Sequence, residues 1–317
     1  MKPIWLAVPV LLASLLTAGC SSSAGPDRLL VPGASTTVLT DFAERQIVLD
    51  ATPSSIVALG NGETDIIYAL GGTLTGRPTT DRPPSDPAAA AVPQIGSTHE
   101  VDLERITLLR PDIVLGHHPM NTKDIPVLEG IGAQVVLTSA NSIADIQRQI
   151  ALLGQLIDQE TRARELIAEI DAAAASYNDQ LADAERPRAL LVYGAPGTFM
   201  AALPNSLSGN ILETAGGINI ASDYPRLQSY PQYAQLSSER IVQANPDYIF
   251  ILTHGKPDEV EASFHQEMKV NSAWNRINAV IHERIEVLPA DLFGTNPGTR
   301  IVEALALMHE KLGLASS

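Results

Sequence analysis

The sequence predicts an α/β protein of two lobes joined by one long helix, and three features of the chain predict it. The first is a repeated element. ERITLLRPDIVLGHH at residues 104–118 returns as ERIVQANPDYIFILTH at 239–254, with the same Glu-Arg-Ile, the same gap to Pro-Asp, another apolar run and another histidine. The second feature widens the repeat: ETDIIYALGGTLTG (63–76) is echoed by SGNILETAGGINIA (208–221). Each reads as an apolar-periodic helix ending at Gly-Gly, where glycine takes the left-handed cap conformation. Two copies of one α/β plan imply two lobes. The third feature is the segment between the copies, helical in pattern and free of Gly and Pro from Gln155 to Glu185. One rigid helix as the connection predicts lobes that face each other across a cleft and move little.

The elements follow in order. SIVALG, DIVLG, AQVVLT, RALLVYG, DYIFILT and RIEVLP are short apolar runs between helical segments, the pattern of parallel strands covered on both faces. Ligands of open α/β sheets sit beyond the carboxyl ends of the strands, which here means the mouths of both lobes. His117 and His254 follow strand ends. His99 lies in the loop leading into the first Glu-Arg-Ile helix. His117 and His118 are adjacent on a strand end and so point to different sides, which weakens them as a joint metal site.

A chain of 317 residues with 36 acidic and 21 basic side chains carries a formal charge of −15. That field repels nucleic acid and anionic membrane surfaces, and no basic tract, zinc-finger spacing or Walker-type loop argues otherwise. The N-terminus reads as a targeting segment: Met1-Lys2, then the apolar IWLAVPVLLASLL, then TAGCSSS with the only cysteine. This resembles a bacterial lipoprotein signal in which Cys20 is lipidated and becomes the first mature residue. Leu16 stands one place further from Cys20 than in the commonest form of that signal, and a plain secretory peptide cut near Ala18 is the alternative. The expected organisation is a signal peptide at 1–19, lipidated Cys20 and a flexible tether to 35, an N-terminal lobe at 36–154, a linker helix at 155–186 and a C-terminal lobe at 187–317.

The whole pattern resembles the substrate-binding lipoproteins of ABC importers for siderophores, cobalamin and heme, the class III periplasmic-binding-protein fold of two Rossmann-like lobes joined by a single long helix. The C-terminal lobe is similar to IsdE-type heme-binding lipoproteins in GAPGTFMAALPNSLSGNILETAGGINIA, in NPDYIFILTHGKPDEVEASFHQEMKVNSAWNRINAV and in VLPADLFG. The resemblance implies that the histidine of the His-Gly-x-Pro run, His254, is an axial ligand of heme iron. The second ligand of that family is a methionine in a Gly-x-x-Met loop. This chain has Gly96-Ser97-Thr98-His99 there, and imidazole also ligates heme iron. HmuT-type proteins likewise place a histidine in that loop. Their partner tyrosine falls in the region of Thr198–Met200, where this chain has Phe199 and Met200. His99 and His254 are therefore the expected ligands, one per lobe, with Met200 as the substitute should His99 point away.

Around the iron, Phe199, Met200 and Tyr193 are the expected apolar lining, and Arg77 and Arg82 the candidate propionate contacts. The resemblance also implies an ABC permease as partner, docked through one carboxylate per lobe; Glu63 and Glu213 occupy matching helices. The expected protein is a monomeric, non-enzymatic carrier, anchored by lipid on the extracytoplasmic face of the cell membrane, without nucleic-acid partners. The rival readings are a ferric-siderophore or cobalamin carrier of the same fold, and a zinc or manganese protein or metalloenzyme. Against the last, the chain has neither an HExxH run nor a Ser-His-Asp or Cys-His set.

Overall fold

In the computed structural model, the described residues are 36–80, 83–96, 99–180, 186–195, 198–253, 256–270 and 272–314. They begin with an antiparallel hairpin, β1 (Thr37–Thr40) and β2 (Gln46–Leu49). Its alternation turns Leu39, Ile47 and Leu49 inward and leaves Val38 and Val48 exposed. Asp41 closes the turn: its fully buried carboxylate accepts from the Ala43 and Arg45 amides and pairs with the Arg45 guanidinium at 2.7 Å.

The first lobe is built on parallel strands β3 (Ile56–Ala58), β4 (Ile113–His117) and β5 (Gln134–Thr138), side by side in that order. Period-two alternation divides them: Val57, Val114 and Val135 pack on one face, and Ile56, Ile113, Leu115 and Val136 on the other. The second lobe holds β6 (Arg188–Ala195), β7 (Thr198–Ala202), β8 (Ile218–Asn219), β9 (Tyr233–Gln235), β10 (Tyr248–Leu252) and β11 (Ile285–Val287). They are ordered β11-β10-β6-β7-β9, with β8 beside β6. All six strands expected from the apolar runs are present and pair in parallel within their lobes. The antiparallel additions β7 and β9 were not expected, although Pro196-Gly197 between two apolar runs is a hairpin signal.

The repeat extends to the backbone. The helices Asn61–Ala69 and Leu207–Thr214 end at Gly-Gly, with Gly71 at φ +83° and Gly216 at φ +110°. The two Glu-Arg-Ile helices, Leu103–Leu109 and Ser238–Ala244, are each capped by a left-handed non-glycine residue, Arg110 and Asn245. The Pro-Asp that follows braces a neighbouring strand. Asp112 accepts from Ser54 Oγ and from the Ser54 and Ser55 amides ahead of β3. Asp247 accepts from the Arg188 amide at the start of β6. Hydrogen bonds from Ser54 and Ser55 hold the Asp112 carboxyl below the usual carboxylate range. The element is repeated because it solves one problem twice, tying the start of one strand to the start of its parallel neighbour in the sheet.

The long helix expected at 155–186 is present at Glu160–Gln180 and begins later than expected. A helix at Ile143–Leu156 stops, Asp158 takes φ 56°, and a second helix runs Glu160–Gln180. Residues 181–185 lie outside the described residues. The break folds the two helices against each other, and Gly154 permits the approach, since a Cβ there would stand 2.6 Å from that of Ala163. Ile157-Asp158-Gln159 contains no Gly or Pro, so the sequence carried no stop signal. One apolar cluster then runs through both lobes, from Leu39, Ile66 and Leu115 through Ile150 and Leu166 to Leu191, Phe250 and Leu305. No helix among the described residues is long and apolar enough to cross a membrane.

Candidate functional site

His99 is exposed, in a short loop closed by a bridge between Gly96 and Val101. Gly96 sits at φ +100°, and Asp102 caps the following helix by accepting from the Arg105 amide. The residue is thus presented at a tight turn. His254, Arg82 and Cys20 lie outside the described residues, so no distance joins the two histidines. On either side of position 254, Thr253 is buried at the end of β10 and Lys256, at φ 48°, opens the helix Pro257–Val270.

The expected lining residues part company. In the β6–β7 pair, Tyr193 stands opposite Met200 and Gly194 opposite Phe199. Opposed residues share a face and neighbours alternate, so Tyr193 and Met200 lie together and Phe199 lies behind them. Phe199 packs edge-on to Phe264 at 5.2 Å, and Phe264 in turn on Trp274. It is partly buried against the apolar cluster on that face of the second lobe. Tyr193 instead meets Tyr233 at 5.0 Å.

Two charged expectations are corrected by burial. Arg77 is 5% exposed and donates to the carbonyls of Ala89 (2.8 Å), Pro78 (3.0 Å) and Ala90 (3.3 Å). Its guanidinium braces residues 77–90 and is not free for a propionate. Glu63 is 3% exposed and its carboxylate accepts from Thr138 Oγ1 and, at 3.1 Å, from Gln149 Nε2. A docking carboxylate must reach a partner, and this one is sealed in the lobe. Glu213, its match in the repeat, is partly exposed, and burial raises its carboxyl against the opposing charge of Arg186.

Sequence reading missed the contacts that join the lobes. Asp65 Oδ1 accepts from the Thr299 amide (2.7 Å) and hydroxyl (2.6 Å). Burial lifts its carboxyl above the ordinary range. Gly298, at φ +62°, leaves room for that carboxylate, which a Cβ would approach to 2.5 Å. Asn296 donates to Gln149 Oε1 at 2.9 Å, linking the second lobe to the buried Glu63. Between these groups lies a cavity of about 100 Å³ bordered by Asn61, Thr80 and Asn296, less than the roughly 300 Å³ of a drug-sized pocket. No motif marks such contacts, because each partner is supplied by a residue more than 100 positions away.

His117 lies opposite its strand partner Thr138, near the buried Glu63. Its buried Nδ1 has no hydrogen-bond partner among the described residues. No cluster of three or more His, Cys, Asp or Glu among the described residues could hold a metal ion. Burial holds the His117 imidazole below its ordinary 6.5, with Glu63 opposing the shift. The unfolded chain therefore takes up this proton more readily than the folded one. Its contribution to stability is intact above pH 6.5 and is lost as the pH falls through and below that value. His117→Gln is expected to flatten the stability–pH curve there, measured by urea unfolding at about pH 7.5 and about pH 5. An unchanged slope would assign the acid sensitivity elsewhere.

Comparison with known proteins fits this architecture. The family model described as periplasmic binding protein matches residues 56–292. The high-affinity heme uptake system protein IsdE of Staphylococcus aureus is 26% identical over 220 residues, covering 69% of this chain and 74% of that protein. The crystal structure of S. aureus IsdE complexed with heme superposes with a TM-score of 0.72 at 24% identity, covering 81% of this chain and 98% of that one. A structure of an ABC transporter substrate-binding protein from Listeria monocytogenes gives 0.71 at 29% identity, over 81% and 97% of the two chains. These relatives are substrate-binding transport proteins and not enzymes. With the family match covering both lobes and the interlobe helices, the chain belongs to the periplasmic binding protein family.

Proposed function

We propose that this protein carries heme in the cleft between its lobes and delivers it to an ABC permease. The observation that supports it most is the 220-residue similarity to a heme uptake protein. In this reading His99 and His254 fill the two axial positions of the iron, one from each lobe. Met200, partly buried beside Tyr193, is the substitute ligand on the second lobe.

Hemin titrated into the mature protein is expected to give a sharp Soret band that saturates at one equivalent. A spectrum that stays that of free hemin, alongside tight binding of a ferric siderophore, would transfer the assignment to siderophore transport.

Lipidation of Cys20 holds the carrier at the extracytoplasmic face, and a carboxylate near Glu213 meets the permease. Cys20→Ser is expected to move the protein from the membrane to the soluble fraction with hemin affinity unchanged. Firm membrane association of that variant in fractionation would argue against the anchor.

A further inference from the structure

Three of the seven tyrosines of the chain gather at one place on the second lobe. Tyr193 and Met200 face the same side of the β6–β7 pair, and Tyr233 follows on β9 with its ring 5.0 Å from that of Tyr193 at an interplanar angle of 39°. Tyr230 lies near enough to Tyr193 to act on its phenol, yet is 59% exposed. The segment carrying it is fixed: the Tyr233 amide donates to the Tyr230 carbonyl at 2.9 Å, and Gln232 Nε2 donates to Asn141 Oδ1 of the first lobe at 3.4 Å. The rings therefore sit where the lobes meet. The opposite side of the same strands is already filled by Phe199 against Phe264.

Tyr230 offers an exposed polarisable ring beside two partly buried ones and a thioether. Burial raises both inner phenols, Tyr233 to about 12, so they remain protonated at neutral pH. A neutral phenol is a poor iron(III) ligand, but its ring stacks well and its hydroxyl still donates a hydrogen bond.

Building on the heme reading, we propose that Tyr193, Tyr230 and Tyr233, with Met200, form a face that binds the porphyrin macrocycle independently of its iron. The axial histidines then add to an affinity the ring already has. Recognition of the macrocycle and of the metal is divided between separate groups.

The test uses the mature chain with two probes, hemin and metal-free protoporphyrin IX. The wild type is expected to bind both. Tyr230→Ala is expected to weaken both by the same factor, about tenfold, while Tyr230→Phe retains wild-type affinity for both. His254→Ala should weaken hemin alone. Tyr230 is exposed, so its variants keep the melting temperature of the wild type. Hemin binding without protoporphyrin binding, or a Tyr230→Ala protein with unchanged protoporphyrin affinity, overturns the proposal. Binding of protoporphyrin but not hemin would overturn both this face and the heme reading, because a face indifferent to iron must take both probes, and binding of neither would overturn both as well.

Discussion

Alanine at position 254 is expected to speed hemin loss on the order of 100-fold, against roughly tenfold for alanine at position 99. The difference follows from the elements that precede the two positions. Position 254 follows β10, a central strand whose neighbours β6 and β11 fix it on both sides, and the preceding Thr253 is 2% exposed. His99 is exposed in a loop outside the sheet, whose ends are bridged at Gly96 and Val101. A side chain on a fixed backbone loses less entropy when it binds, so more of its bond survives as affinity. His99→Met should retain hemin and shift the spectrum from bis-histidine toward His/Met character. The measurement is transfer of heme to apomyoglobin in stopped flow, with magnetic circular dichroism of each variant. Unaltered spectra in His99→Ala would remove His99 from the iron and make Met200 the ligand to test. Normal retention by His254→Ala would end the heme-ligand assignment.

The second large effect concerns stability. Because one apolar cluster runs from Leu39 to Leu312 through both lobes and the helices between them, the mature protein is expected to unfold in one transition, not lobe by lobe. Phe250→Ala is expected to cost about 3–5 kcal/mol and lower the melting temperature by roughly 10 °C. Phe250 is fully buried at the middle of β10 and stacks on Tyr248 at 5.7 Å, so its removal opens a cavity that the flanking strands cannot collapse into. Trp274 fluorescence reports the second lobe, and far-ultraviolet circular dichroism reports both. Coincident curves are expected for the wild type and for Phe250→Ala. A fluorescence transition that precedes the dichroism curve would mean independent lobes and would defeat the single-core argument.

The repeated Glu-Arg-Ile, Pro-Asp and Gly-Gly elements determined the α/β class, the two lobes and all six parallel strands, because each is a local instruction. Arg110 and Asn245 cap equivalent helices, and Asp112 and Asp247 brace equivalent strands, through contacts that recur with the motif. Period-two alternation also separated Tyr193 from Phe199 once the β6–β7 hairpin was known; without that register both read as apolar lining.

Burial was decided elsewhere. Glu63 and Glu213 are matched in sequence, yet one is sealed beneath Thr138 and Gln149 and the other reaches the surface. Arg77 looks like a free cation until Ala89 and Ala90 turn their carbonyls toward it. The helix break at Asp158, the Asp65–Thr299 contact and the tyrosine face arise from residues brought together only when the lobes pack. Sequence periodicity records which side of an element is apolar, but not which charged or aromatic group another part of the chain will cover. That choice depends on long-range geometry, which only the tertiary structure supplies.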